Sequence, residues 1–222
     1  MATVSPESRQ RIVEAGIRIV ETDGVDALSA RRLAAETGTS TMAVYTHFRG
    51  MPEVIEAVAG EAFARFTRAL TEVPKTEDPV ADFMVMGVRY REFALADPRR
   101  YQMMFGSSAE SLNRFHTDLT TTGSASNRPD FGMSFEALAE AVRRMIEAGR
   151  IRHDGVSVIA GRLWSISHGA VLLEIAGYFG HEGHGLLQVL GPLTCDVLVG
   201  LGDSRDRVDR SMAAAIAALG VS

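Results

Sequence analysis

Apolar positions recur with helical spacing from the start of this chain. Ile12, Val13, Ile17 and Val20 form one stripe, opened by Ser5-Pro6-Glu7 and closed by Asp23-Gly24. Ser5 suits the N-cap, Pro6 tolerates the first helical position, and Glu7 places an acid at the positive helix end. Val25 and Leu28 lead into two short segments. Ser29 is a good N-cap for Arg31-Arg32-Leu33-Ala34-Ala35-Glu36, a run of helix formers with Leu33 directed inward. Gly38 stands where a helix must end in the left-handed conformation. Thr39, Ser40 and Thr41 then offer a second N-cap, and the next segment carries Val44 inward and Tyr45 outward, ending near His47 and Phe48. The pattern predicts three small helices with a core of Ile12, Ile17, Leu28, Leu33, Val44 and Phe48.

Pro52 starts a longer helix through Val54, Ile55, Val58, Phe63 and Phe66 toward Leu70, and the polar run Val73 to Pro79 ends it. Val80 to Ala96 is apolar and stops at Asp97-Pro98; Tyr101, Met103, Met104 and Phe105 then crowd together before Gly106. Ser111 to Thr120 reads as a weaker helix, Thr121 to Pro129 as a surface loop, and Phe135 to Ala148 as an amphipathic helix. Two long apolar segments follow, Val156 to Phe179 and Leu186 to Leu201, with a Gly-rich loop between them and a final helix from Arg205 to Leu219. No alternating strand pattern is present, so the expected class is all-α. The domains expected are a three-helix helix-turn-helix domain over residues 1–50 and a larger helical domain over residues 51–222. The two long segments are too apolar to face water alone, which predicts pairing with a second copy.

Helix, Gly-containing turn, helix is the plan whose second helix enters the DNA major groove. Charge narrows this picture. The net charge of −5 excludes a surface made throughout for polyanions, and residues 1–50 balance six Arg with six acids. From Ser29 to Pro52 the balance is three Arg (Arg31, Arg32, Arg49) against Glu36. Arg31, in the first turn of the second helix, can fork onto guanine O6 and N7 or grip a phosphate. Thr41, Met42 and Ala43, at the groove-facing start of the third helix, can touch thymine methyls but make no bidentate contact. Tyr45 and His47 would reach phosphates with their polar tips.

Cys195 is the sole cysteine, so no disulfide can form within the chain, and a reducing cytoplasm is expected. The first residues lack an apolar signal core, and Glu174, Gln188, Pro192 and Asp196 interrupt the apolar stretches, so no membrane span is expected. No nucleophile motif or phosphate-cradling loop is present, and neither enzymatic activity nor a cofactor is expected. His181, Glu182 and His184 share a Gly-rich loop, which reads as a solvated loop rather than a metal site.

Arg11-Ile12-Val13-Glu14-Ala15, Gly24, Leu28-Ser29, Leu33-Ala34, Gly38-Thr39-Ser40 and Val44-Tyr45-Thr46-His47-Phe48 together resemble the DNA-binding domain of the TetR family of bacterial repressors. Further on, Leu163-Trp164-Ser165-Ile166-Ser167-His168-Gly169 and Asp97-Pro98-Arg99-Arg100-Tyr101-Gln102-Met103-Met104-Phe105 resemble a TetR-type C-terminal domain named for its Trp, His and Gly. The resemblance implies a homodimeric regulator, with the last two long helices of each subunit pairing into a four-helix bundle. It implies a palindromic double-stranded operator, contacted by Ser29, Arg31, Ser40, Thr41, Met42, Ala43, Tyr45, His47 and Arg49, with Arg31 reading a base. It also implies a repressor released by a small apolar effector. Phe83, Met86, Tyr90, Met103, Met104, Phe105, Phe131, Trp164 and His168 are candidates for the ligand pocket or for plain core. Such repressors carry a Lys at the start of the fourth helix, where this chain has Met51; the helix N-terminus or Arg49 would then hold that phosphate. The alternative is an all-α small-molecule-binding protein without operator binding.

Overall fold

The structure, a computed structural model, describes residues 6–106, 110–180 and 183–220. Among them the chain is helical and shows no strand. In order the elements are α1 (Pro6–Asp23), a 3-10 turn (Val25–Ala27), α2 (Ala30–Thr37), α3 (Thr41–His47), α4 (Met51–Thr71), α5 (Pro79–Ala96), α6 (Pro98–Phe105), α7 (Glu110–Asn113), α8 (Leu119–Thr122), α9 (Pro129–Glu147), α10 (Val156–Ile175), a π-helical turn (Gly185–Leu190), α11 (Gly191–Gly200) and α12 (Arg205–Leu219). They form two compact units, one of residues 1–65 and 96–116, the other of residues 66–95 and 117–222.

The first unit is built by caps and a continuous apolar core. Ser29 Oγ accepts from the Arg32 N–H and caps α2; Gly38 ends it at φ 66°, where a side chain would be strained. Ser40 Oγ accepts from the Ala43 N–H at 3.1 Å and starts α3. Ile12, Ile17, Leu28, Leu33, Val44 and Phe48 are all buried, joined by Val54 and Val58 of α4. Gly16 lets α1 approach α4 closely: a Cβ there would sit 2.4 Å from Val58 Cγ2. α6 packs on α1, where Arg100 Nη1 donates to Glu21 Oε1 at 2.6 Å. Ser5, the expected cap of α1, lies outside the described residues.

The second unit centres on Val80, Phe83, Met84, Phe135, Val142, Met145, Ile159, Leu163, Leu198 and Val208. Three element boundaries differ from the sequence expectation. α10 ends at Ile175 rather than Phe179, with Gly177 at φ 87° beyond it. The segment expected to run unbroken from Leu186 opens as a π-helical turn; Pro192 lacks an N–H, and the Gly191 N–H reaches back to Leu186 O. The expected helix from Ser111 to Thr120 divides into α7 and α8, because Asp118 caps a fresh turn by accepting from the Thr120 N–H.

Ion pairs are buried in this unit. Arg150 donates to Asp203 through Nε (2.8 Å), to Asp78 through Nη1 (2.8 Å) and to Ser211 through Nη2 (3.0 Å), and Ser211 Oγ donates to Asp78 at 2.7 Å. Burial raises the Asp78 carboxyl, but the Ser211 hydroxyl, the Ala81 N–H and the Arg150 charge outweigh it and hold its pKa below the usual value. Arg91 grips Glu174 with two bonds, at 2.8 and 2.5 Å.

Candidate nucleic-acid interface

The outer face of α2 and α3 follows from which arginines the first unit consumes. Arg9 lies over the Phe48 ring at 4.7 Å, Arg11 donates to Thr37 O, Arg18 pairs with Glu36 at 3.2 Å, and Arg32 pairs with Asp23. Arg31 and Arg49 are exposed, and among the described residues neither guanidinium has a protein partner. Sequence alone could not tell Arg31 from Arg32 by charge; Asp23, at the end of α1, makes the distinction.

α3 presents Thr41, Met42, Tyr45 and Thr46 to solvent, with Val44 fully inward and Ala43 half-buried. Met42 is 74% exposed and Tyr45 48%. Tyr45 follows Met42 by three positions, so the two share one face of the helix. The Thr46 hydroxyl donates to Met42 O at 2.9 Å and is occupied within the helix. Ser29 and Ser40, both expected at the interface, spend their Oγ atoms as caps while remaining exposed. His47 is half-buried, and its Nδ1 is buried without a hydrogen-bond partner. Its tip is therefore less presented to solvent than that of Tyr45. Beyond α3, the Arg49 N–H donates to Glu53 Oε2 at 2.8 Å, so the start of α4 already carries a carboxylate. Met51 beside it is half-buried.

The pocket candidates are distributed over both units. Met103, Met104 and Phe105 belong to the first, where Met103 and Met104 are core and Phe105 meets Phe63 edge-on at 5.4 Å. Phe83, Met86, Tyr90, Phe131, Trp164 and His168 belong to the second. Phe83 is buried core, Met86 packs at its edge, and Phe131 lies under the Arg128 guanidinium at 4.9 Å. Three residues are brought together. Trp164 Nε1–H donates to the Tyr90 Oη at 3.2 Å, and the same oxygen lies 3.1 Å from His168 Nδ1. A phenol that accepts from the indole can give its own proton to Nδ1, which leaves the imidazole proton on Nε2. Burial holds the His168 pKa below the ordinary imidazole range, so it is neutral at pH 7. Phe66 packs edge-on against Tyr90 at 5.0 Å and fixes the hub of this triad. All three are pocket candidates in the sequence; that Tyr90 links the other two is seen only in the fold.

Among the described residues no group of three or more His, Cys, Asp and Glu could hold a metal. His181 and Glu182 lie outside those residues; His184 is exposed. Cys195 is buried, which pushes its thiol pKa up and makes it a poor nucleophile. By length and composition alone, α10 is apolar enough to cross a membrane. Core helices of such composition pass the same test, and Glu174, which interrupts the apolar run near the helix end, is paired with Arg91.

Two family descriptions match the chain. Residues 12–58 match the DNA-binding domain of bacterial regulatory proteins of the tetR family, and residues 83–189 match the tetracyclin repressor-like C-terminal domain. The HTH-type nicotine-responsive transcriptional repressor HdnoR of Paenarthrobacter nicotinovorans is 23% identical over 160 residues, covering 70% of this chain and 81% of its own. A protein of unknown function from Rhodococcus sp. RHA1 superposes with a TM-score of 0.69 at 24% identity, over 91% of this chain and all of the other. RolR in complex with resorcinol superposes with a TM-score of 0.63 at 15% identity, over 93% of each chain. A capped helix-turn-helix matching one half of the family pattern and a helical C-terminal domain matching the other make this chain a member of the TetR family of transcriptional regulators.

Proposed function

We propose that the chain is a homodimeric, cytoplasmic repressor that holds a palindromic operator and releases it on binding a small apolar effector. The observation that carries the reading is the placing of Arg31 and Arg49. Four of the six arginines in residues 1–50 are engaged by the protein, and the two without a protein partner stand at the start of α2 and just past the end of α3. A guanidinium left in solvent loses little on meeting a phosphate or a guanine edge. Arg31 reads a base; Arg49, Tyr45 and His47 hold phosphates; Thr41, Met42 and Ala43 face the groove floor, while Ser29 and Ser40 bring their capped helix starts to the backbone.

The exposed apolar side chains of the second unit support the dimer. Val158, Leu172 and Leu173 of α10, Leu187 of the π-helical turn, Leu193 of α11 and Ile216 of α12 are all exposed, a surface that a second copy would cover. This also accounts for the membrane-like composition of α10. The Trp164–His168–Gly169 run lies inside the matched C-terminal domain and is organised by Tyr90, which supports the Trp-His-Gly type. HdnoR is named as nicotine-responsive and RolR is solved with resorcinol as ligand, which favour a small cyclic effector here. Met51, where relatives of the resemblance place a Lys, and Glu53 beside it favour the second reading, a ligand-binding protein without an operator.

Electrophoretic mobility shift against the DNA upstream of its own gene separates the two. Arg31→Ala lowers affinity by roughly ten- to a hundredfold, the worth of a lost bidentate contact, while Arg32→Ala has a smaller effect. Light scattering of the same sample gives a dimer. A folded protein that shifts no duplex at low salt overturns the repressor reading in favour of the second.

A further inference from the structure

We propose that Met42 is the specificity-determining residue of α3, reading thymine C5-methyl groups, so that the operator places A·T pairs under the start of this helix. The inference rests on the DNA-binding reading above and gives the operator a chemistry.

It follows from what α3 lacks. Its sequence, Thr41-Met42-Ala43-Val44-Tyr45-Thr46-His47, holds no Arg, Lys, Asn, Gln, Asp or Glu, the side chains that make bidentate or charge-assisted contacts to base edges. Val44 is wholly buried, the Thr46 hydroxyl is bonded to Met42 O, and His47 Nδ1 is turned inward. What remains at the base-facing start is the Thr41 hydroxyl, the Ala43 methyl and the Met42 thioether. Among the large apolar side chains of the first unit's described residues, only Met42 and Tyr45 are exposed, and Met42 is the more so at 74%. No core contact explains a methionine there.

Its backbone is fixed. Met42 occupies the first turn of α3, where Ser40 Oγ holds the Ala43 N–H at 3.1 Å, and the N-terminal residues of a recognition helix are those that reach base edges. In the major groove the one apolar group on any base pair is the thymine C5-methyl. A flexible, polarizable thioether can lie against such a methyl on either strand, while the small Ala43 beside it leaves the groove floor open. Burying Met42 there removes its exposed apolar surface and the methyl from water together.

The test begins by selecting duplexes with the full-length protein from a random-sequence library. Each thymine of the selected duplex is then replaced by deoxyuracil, which removes the C5-methyl and leaves the hydrogen-bonding edge intact. One or two thymines in each half-site show a loss of roughly fourfold, the value of one methyl-sized group withdrawn from water. Met42→Ala, a change at an exposed site that leaves the melting temperature unaltered, binds more weakly and is indifferent to uracil at those thymines. Arg31→Ala binds more weakly yet keeps the uracil sensitivity. If uracil at every thymine leaves binding unchanged, or Met42→Ala retains the sensitivity at the same positions, the assignment to Met42 is overturned while DNA binding stands. If the folded protein selects no duplex, the regulator reading falls and the assignment with it.

Discussion

Arg31 stands in solvent at the start of α2 without a partner among the described residues, whereas Arg150 is buried in the second unit between Asp203, Asp78 and Ser211. Both are guanidiniums on helical scaffolds, but the chain asks different things of them. A charge in water gains little from a surface carboxylate and keeps its full capacity for a phosphate or base. A charge taken out of water must be matched on every side before it can be tolerated. The apolar groups show the reverse division. The first unit buries nearly all of its large apolar side chains and exposes Met42 and Tyr45, while the second leaves Leu172, Leu173, Leu187 and Tyr178 outside. The unpartnered Arg31 of the first unit and the exposed apolar side chains of the second suit different partners.

The sharpest way to break this contrast is to remove each arginine in turn. Arg150→Met is expected to destabilise the protein by about 3–5 kcal/mol, because Asp78 loses its cation and the buried Asp203 keeps only the longer pairing with Arg207 at 3.6 Å. Arg31→Met should change stability by less than ~0.5 kcal/mol, as befits a surface side chain without a protein contact. Urea denaturation at one fixed protein concentration checks both. Similar losses for the two variants would show that exposure and lack of partner do not separate their roles.

Tyr90→Phe probes the neutral side of the second unit's polar interior. It removes the acceptor of the Trp164 N–H and the partner of His168 Nδ1, and is expected to cost roughly 1–3 kcal/mol. The pH dependence has a definite sign. His168 titrates lower when folded than its ordinary 6.5. As pH falls below that value, the unfolded chain takes up a proton that the folded chain does not, so stability is full above it and declines toward acid. His168→Gln flattens the slope of thermal stability between pH 7 and 5. Glu14, whose pKa is lowered chiefly by its hydrogen bond from Arg65, and Asp78 lose their contributions only further down, below their ordinary 4.5 and 3.8, so the two regimes separate. An unchanged slope in His168→Gln would assign the loss between pH 7 and 5 to other groups.

Much of this was legible in the order of residues because it depends on local chemistry. Caps at Ser29 and Ser40, the Gly38 stop and the inward stripe of Leu33 and Val44 need only neighbours within a turn or two, and each is where the spacing placed it. The family resemblance added the operator and the effector, which no spacing supplies. What could not be read depends on partners distant in sequence. The resemblance singles out Arg31, but that Arg32 is engaged by Asp23 is not in the local order; the triad of Trp164 and His168 needs Tyr90, some 74 positions earlier than Trp164; and Arg150 is satisfied by Asp78 and Asp203 from opposite ends of the second unit. The π-helical turn before α11 escaped notice because its apolar run satisfies a straight helix equally well; Gly191 and Pro192 were its only signal.

The smallest effect bears most closely on how the first unit offers its outer surface. Ser40→Ala removes the cap on the Ala43 N–H and should cost ~1 kcal/mol, whereas Ser40→Gly, which keeps the turn permissive and the N–H open to water, should cost a few tenths. Because that cap fixes the turn carrying Met42, the alanine variant should also lose discrimination between thymine and uracil, beyond what its lower stability explains. Measuring both quantities at a temperature where each variant remains folded distinguishes a scaffold that merely survives from one that holds its reader in place. If Ser40→Ala discriminates as well as the unaltered chain, contact with DNA itself orders the first turn of α3, and the contrast between the units narrows to their charges.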